Sequence, residues 1–517
     1  MKTHGHVAHL AILLFLFTLH ASASATAAGS SPCTAPNGSI FNLEPRPNAV
    51  TQAALSVAFL PNRAGAGLDL VIATATDQRG LSDSPEAFYV QRSTENCAAD
   101  LEGGFPSISN AMGLFMPLGT PIVVADPAHD GFFFADLRFA SSPDLNGVGI
   151  IKATSANLLN AANCPNGTQT AGSAGCFTTG SVSTITGLNN FLTEPNLAVD
   201  QRTSGTGAGD VYTVVTEALA PHDFGDTSIL LAACTNADLN CSNSTLISAK
   251  DAEAKFAWVQ VRPDGVITVS YVNFNSLVPT SEEVKFVTCT PNGAPNPPTC
   301  SAPVLVTTET TPLFKEFIGQ TRLVDFLMPK HAHRLESNGT VTTFLTYDRC
   351  EVKLLKLSKA DNGTCLKTDV VVTSSTDGGQ TWSPIAKVSN SPFQQFFSAI
   401  ATDSSTGTVN IAYYSTENDL TFQTHPQVFL AQIAPGTTSV GTPSLLTSAS
   451  IYPNTTAATP TQLEPLGLGD RIALAATGTG TAGQSHAYVG FTWNSVFGTY
   501  SGVSLPDMNN HLTFLQY

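Results

Sequence analysis

Apolar residues in this chain come in short runs of about four to six, each ended by a polar turn and answered by a second run. Ile122-Val123-Val124-Ala125 leads through a turn from Asp126 to Gly131 into Phe132-Phe133-Phe134-Ala135. Asn196-Leu197-Ala198-Val199, a turn from Asp200 to Asp210 and Val211-Tyr212-Thr213-Val214 repeat the phrase. Trp258 to Val261 with Val266 to Val269, and Ser398 to Ala401 with Thr408 to Ile411, repeat it again. Weaker copies begin near Leu55, Phe326 and Ile472. Runs this short, rich in Val, Thr and Phe and bounded by Gly, Asp and Asn, predict antiparallel strands rather than helices. Copies recur roughly every 70 residues, so the chain reads as a repeat array with long loops.

The second half of each unit also recurs. Ile229 to Cys234 is followed by a turn, Cys241 and Leu246-Ile247, and Val284 to Cys289 by a turn, Cys300 and Val304 to Val306. In the fifth unit the corresponding place holds Ser375-Thr376-Asp377-Gly378-Gly379-Gln380-Thr381-Trp382, between Val370-Val371-Val372 and Ile385 to Val388. Asp-Gly-Gly suits a hairpin turn because glycine accepts φ > 0, and a short acid can take amide hydrogen bonds from its own turn. The spacing of Ser375, Asp377, Gly379, Thr381 and Trp382 resembles the Asp box, S-x-D-x-G-x-T-W, of sialidases and related BNR-repeat β-propellers. That resemblance implies an all-β propeller of four-stranded blades, with the box as a structural turn. Sialidases usually carry several boxes and this chain carries one good copy, so the Cys pairs are read as replacing the box in other blades. Counting copies gives seven blades, with six as the alternative, and Ile40-Phe41-Asn42-Leu43 is expected to supply the outer strand of the last one. A two-domain β-sandwich fits the strand content too, but the single period with no linker favours the propeller.

Lys2, the apolar run Leu10 to Leu19 and the small residues Ala21 to Ala28 have the order of a secretory signal peptide. We read residues 1–28 as that signal and residues 29–517 as one domain. The apolar run is about half of the ~20 residues needed for a membrane span. The chain is therefore expected to be secreted, extracellular or periplasmic, without membrane insertion. Lys and Arg total 23 against 39 Asp and Glu, a formal charge of −16, with only 12% of residues charged. An acidic chain without a basic cluster argues against nucleic acid as a partner.

Ten cysteines without C-x-x-C spacing fit structural disulfides in an oxidising compartment, rather than zinc or thiol redox chemistry. Sequence leaves connectivity open, but four neighbour pairs are close enough to staple local loops. The expected bridges are Cys164–Cys176, Cys234–Cys241, Cys289–Cys300 and Cys350–Cys365, with Cys33–Cys97 by elimination. Sequons stand at Asn37, Asn166, Asn240, Asn243, Asn338, Asn362 and Asn454.

The first-to-second turns are short and read as chemically dull, whereas the ends of the second strands are rich in charge. Ligand-binding candidates there are Asp77 and Arg79, Asp136 and Arg138, Glu217, and Tyr347, Asp348 and Arg349; crossings between units add Glu194, Arg322, Asp470 and Arg471. Arg, carboxylate and Tyr around one mouth suit an anionic or hydroxylated ligand. The plainer reading makes them local ion pairs, with the arginines meeting Asp77, Asp136, Asp348 and Asp470. His331-x-His333 is read as a surface feature, and Asp144 to Gly147 lacks the distal acid of an EF-hand. No metal or cofactor is expected, and G-x-S-x-G, Walker and H-E-x-x-H signatures are absent from the sequence.

The resemblance implies three functions. A sialidase-like exoglycosidase needs three arginines on a substrate carboxylate, a Tyr nucleophile paired with Glu and an acid/base Asp. Tyr347 with Glu194 or Glu217, and Asp77 or Asp136, are available, but the F-R-I-P segment of that family is missing. A non-catalytic propeller that binds a glycan or protein ligand as a monomer is preferred, and a structural envelope or matrix protein is the third reading. The catalytic residues, if any, are not identified by motif.

Overall fold

The computed structural model describes residues 40–42, 52–63, 69–77, 86–91, 101–141, 144–164, 175–187, 190–219, 227–248, 251, 253–274, 281–310, 327–354, 364–420, 425–447, 472–478, 485–500 and 503–517. Among them the one α-helix is Ser155–Leu159, and the strands form seven antiparallel sheets that follow one another along the chain.

The first sheet holds Gln52–Leu60, Leu70–Asp77, Glu86–Gln91 and Leu101–Gly104. The second holds Gly113–Asp126, Gly131–Ser141, Asp144–Thr154 and Thr179–Gly187, with Ile108–Asn110 on the other side of its leading strand. Asn190–Val199, Val211–Leu219, Thr227–Cys234 and Thr245–Leu246 make the third. In the fourth, Ala254–Val261, Ile267–Phe274 and Ser281–Thr290 are completed by Val304–Thr310 and the short Thr299–Cys300. The fifth is Lys330–Leu335, Val341–Leu354, Thr364–Ser375 and Ala386–Lys387; the sixth is Gln395–Thr402, Val409–Ser415, Gln427–Ile433 and Ser444–Leu445. The seventh takes Ala473–Gly478, Ser485–Tyr500 and Val503–Gln516, and its fourth strand is the N-terminal Ile40–Asn42, with Ile40 opposite Thr513.

Each leading strand touches the leading strand of the next sheet, and Ala473–Gly478 touches Gln52–Leu60. Seven apolar clusters follow the same order, one between each consecutive pair of sheets, the last between the seventh and the first. Both faces of a sheet are therefore buried, which explains continuous apolar runs in place of strict alternation. Phe132 and Phe134 enter the seam with the first sheet, while Phe133 enters the seam with the third. Fully burying each such ring contributes about 2–3 kcal/mol.

Five of the leading strands share a defect. A β-bulge interrupts their register between Ala53 and Ser56, Gly119 and Ile122, Thr193 and Asn196, Lys255 and Trp258, and Phe396 and Ala399. Thr120, Glu194, Phe256 and Phe397 sit there in the left-handed region, at φ 57°, 56°, 58° and 53°. A bulge leaves amides without ladder partners, and a buried unpaired amide costs about 1–3 kcal/mol. At three of these bulges, acceptors from the preceding sheet take up the amides. Thr76 Oγ1 accepts from Thr120 N at 3.0 Å, Glu194 Oε2 from Phe256 N at 3.2 Å, and Asp348 from Phe397 N at 2.5 Å and Ser398 N at 3.2 Å.

At the opposite ends of the strands, the turns are tied across every seam, so the first-to-second turns are not chemically dull. Arg63 meets Asp130 at 2.7 Å, Lys152 Nζ donates to Asn236 O at 3.2 Å, and Arg202 donates to Asp264 O at 3.1 Å. Arg334 donates to Ala434 O and Thr437 O, Tyr517 Oη to Asp403, and Tyr488 Oη and His486 Nδ1 converge on Asp69. Between the fourth and fifth sheets the link is aromatic, Phe286 against Trp382 with ring centroids 5.2 Å apart.

Trp382 belongs to the turn expected from its spacing. Asp377 Oδ1 accepts from Gln380 N and Thr381 N at 3.0 Å and from Ser375 Oγ at 2.8 Å, while Thr381 Oγ1 donates to Asp377 Oδ2 at 2.5 Å. The Thr381 hydroxyl, then its amide, hold the Asp377 carboxyl at a pKa of about 2. Trp382 Nε1 donates back to Gly379 O at 3.2 Å. The turn joins the third and fourth strands of the fifth sheet, and Cys234–Cys241 and Cys289–Cys300 bridge the same connection in the third and fourth sheets. Cys164–Cys176 is formed as expected. Cys350 is disulfide-bonded, and the side chains of Cys365, Cys33 and Cys97 lie outside the described residues.

Gly379 cannot be replaced without loss. Its φ is +91°, and a Cβ would stand 2.4 Å from the Phe286 ring. We expect Gly379→Ala to lose about 2–4 kcal/mol in urea unfolding, from backbone strain and overpacking together. Phe286→Ala in the same background should relieve part of the clash, and an additive double variant would contradict that contact.

Candidate functional site

The second-strand ends and the crossings are where a ligand site was expected, and the structure divides those candidates among separate seams. Asp136 and Arg138 form the expected pair, Nε to Oδ1 at 2.7 Å, but fully buried, at 1% and 0% exposure. Arg138 also donates to Pro106 O at 2.6 Å. The pair lies across Gly149, directly opposite Asp136, where a Cβ would come 1.8 Å from Arg138 Nε. These two residues lock the crossing that enters the second sheet.

Glu217 accepts from Thr186 Oγ1 at 3.0 Å and Asn190 Nδ2 at 2.8 Å, tying the third sheet to the outer strand of the second. Tyr347 meets neither Glu194 nor Glu217, which are engaged elsewhere. Its hydroxyl donates to Glu309 Oε1 at 2.7 Å, on the outer strand of the fourth sheet. Burial first, and then the Glu309 charge, push that phenol well above its ordinary pKa. In the preceding seam, Tyr271 Oη donates to Asp251 Oδ2 at 2.6 Å. The same device thus recurs between sheets: a second-strand side chain held by an acceptor or donor of the previous sheet.

The expected Arg349–Asp348 pair does not form. Neighbours in a strand point to opposite faces, so Asp348 turns to the sixth sheet and Arg349 to the fourth. Arg349 pairs with Glu351 at 3.0 Å, and Lys387 joins Glu351 at 2.9 Å to Asp369 at 2.7 Å, which Lys367 also meets at 2.7 Å. Arg79, Arg322, Asp470, Arg471 and the side chain of Asp77 lie outside the described residues. The described arginines of the set, Arg138 and Arg349, stand in different sheets and share no ligand position.

His331 and His333 are also not surface residues. His331 is fully buried and His333 partly so, both in the seam between the fourth and fifth sheets. Among the described residues no group of three His, Cys, Asp or Glu could hold a metal.

Sequence reading passed over Glu309, Asp369 and the acids Asp126, Asp200 and Asp403. The last three had a visible signal, because Asp126 and Asp200 directly follow a leading apolar run and Asp403 follows one by a single residue. A further feature carries no charge. Met112, Leu114, Met116 and Leu118 are 41–53% exposed on one face of Gly113–Asp126 and its turn, and Phe139, paired with Met116, is 36% exposed. This stripe lies at the second-to-third-loop end of the second sheet.

No protein-family model matches the chain, and no curated protein matches it. Some solved structures are similar to it at low identity. A protein of unknown function from Dyadobacter fermentans is similar at 10% identity over 93% of this chain and 98% of that one, with a TM-score of 0.40. The polysaccharide lyase Uly1 is similar at 11% identity over 86% and 85%, with a TM-score of 0.41. A leech intramolecular trans-sialidase is similar at 9% identity over 89% and 84%, with a TM-score of 0.39. Likeness this distant assigns no activity.

A buried ion pair responds asymmetrically to substitution. Asp136→Leu or Arg138→Met alone should cost about 3–5 kcal/mol, because each removes one partner of a buried ion pair, and the double variant should regain most of that loss. Urea midpoints of the three variants check this; a double variant at least as unstable as the sum of the singles would show that the pair is not an isolated lock.

Proposed function

We propose that the chain is a secreted, seven-bladed β-propeller closed by its N-terminal strand, with the seven sheets as blades and the Ser375–Trp382 turn as its Asp box. It binds a glycan or protein ligand at the face formed by the second-to-third loops and crossings, and it does so without hydrolysing it. One observation carries the non-catalytic reading. Arg138, Arg349, Tyr347, Asp348, Glu194 and Glu217 each hold a partner within the fold, so the described residues offer no convergent carboxylate clamp. The exposed Leu114–Leu118 stripe gives that face an apolar contact surface, of a kind found at interaction sites. Disulfides fit an oxidising compartment, and among the described residues no helix is long and apolar enough to cross a membrane.

The second reading is an exo-sialidase-type hydrolase. Its support is the Tyr347–Glu309 pair at 2.7 Å, the Tyr–Glu arrangement such an enzyme requires, although with a different Glu from those expected.

Release of 4-methylumbelliferone from its sialoside separates the two. We expect background rates, together with measurable retention of the chain on at least one member of an immobilised panel of sialylated and uronate-containing glycans or secreted proteins. Turnover abolished by both Tyr347→Phe and Arg349→Ala, in protein that remains folded, would replace binding with hydrolysis.

A further inference from the structure

The seam between the fourth and fifth sheets holds a set of hydroxyl and imidazole groups whose hydrogens, with both imidazoles neutral, can be assigned one by one. Ser270 Oγ lies 2.7 Å from Pro329 O, which can only accept, so the serine donates there. Its other contact, His331 Nδ1 at 2.8 Å, must then be a donor. A neutral imidazole with its hydrogen on Nδ1 accepts at Nε2, and Thr268 Oγ1 stands 2.8 Å away to supply that hydrogen. Thr268 has no second hydrogen, so His333 Nε2 at 2.7 Å donates to it. His333 Nδ1 is left as acceptor, filled by Thr343 Oγ1 at 3.0 Å. Five contacts use five hydrogens, running in one direction from Thr343 to Pro329.

We propose that this relay is an acid-sensitive latch: it closes the seam between the fourth and fifth sheets only while both imidazoles are neutral, and that seam opens first when pH falls. An added proton has two places to go. On His333 Nδ1 it would make the Thr343 hydroxyl, 3.0 Å away, an acceptor and send that hydroxyl's hydrogen elsewhere. On His331 Nε2 it would turn the Thr268 hydrogen toward Gln260 O, 3.2 Å away, and leave a buried cation.

No carboxylate among the described residues contacts either ring. The charged groups around them are Arg262 paired with Asp264, Arg334 paired with Glu336, and Lys330 over the face of Trp258, whose Nε1 donates to His331 O. Phe286 packs edge-on against His331. Burial holds His331 at a pKa of about 3 and His333 well below its usual range, with His331 and Arg262 adding to the second effect. In an opened seam both rings return to the ordinary value of 6.5. The open state then binds more protons, so the latch is at full strength above pH 6.5 and weakens steadily below it. Between pH 7.5 and pH 5 each imidazole multiplies the open population by about 30, and the two together by about 10³. His129, His425 and His486 differ in kind, because each is set against a carboxylate, that of Asp126, Asp419 and Asp69.

Hydrogen exchange of the full chain at pH 7.5 and pH 5, corrected for intrinsic rates, tests the latch. Protection in Ile267–Phe274 and Lys330–Leu335 should fall by about two to three orders of magnitude, while Gly131–Ser141 changes less than about tenfold. The doubly substituted His331→Gln, His333→Gln chain should lose this selective drop, because glutamine does not titrate. If that variant fails to fold, the wild-type profile decides alone. Equal loss of protection in all seven sheets, or none at pH 5, would overturn the proposal.

Discussion

The amides left unpaired by bulges in five of the leading strands are the constraint on which much of this molecule turns. A bulge lets the strand bend where the sheets crowd together, but it strands backbone donors in a dry seam. The sheet cannot satisfy them itself, so the preceding sheet sends a side chain: Thr76 to Thr120, Glu194 to Phe256, Asp348 to Phe397. Each cap positions one sheet against the next and stabilises only the assembled array. Polar side chains are therefore required at these positions by the fold, before any ligand is considered.

The same economy governs the rest of the charge. With 12% of residues charged, most described cations have assigned partners at seams or turns: Arg63, Arg202 and Arg334 near the short turns, Arg138 beneath the second sheet, and Arg349, Lys367 and Lys387 on the fifth. Isolated surface pairs contribute little to stability, but buried ones such as Asp136–Arg138 are costly to break. Arg63, Arg202 and Arg334 reach neighbouring sheets, whereas Arg349, Lys367 and Lys387 pair within the fifth. What the loop end of the second sheet presents instead is apolar, in Leu114, Met116, Leu118 and Phe139.

Architecture was legible in the sequence because it is written in local patterns. The runs around Ile122, Asn196, Trp258 and Ser398 pair in the register their turns dictate, Val199 opposite Val211 and Val261 opposite Ile267. The Ser375–Trp382 turn and three local disulfides follow from spacing within one hairpin or loop. Partners across a seam are set by which face a residue occupies and by the neighbouring sheet, and a linear reading sees neither. Asp348 and Arg349 were coupled because they are adjacent, yet the pleat sends them to opposite seams. Tyr347 was sought beside Glu194 or Glu217, while its acceptor Glu309 stood 38 positions away on an outer strand that looked featureless. His331 and His333 looked exposed because they are polar; the hydroxyls of Thr268, Ser270 and Thr343 that make their burial tolerable lie in other strands.

The strut role of the polar strand ends can be tested at one pair. In a double-mutant cycle with Tyr347→Phe and Glu309→Gln, stability from urea unfolding should show a coupling of about 1–3 kcal/mol between two residues of different sheets, as expected of a buried hydrogen bond to a charged group. Retention on whichever glycan or protein the chain binds should be unchanged in all three variants. Coupling near zero, with ligand retention lost in either single variant, would contradict it and place Tyr347 and Glu309 in a working site.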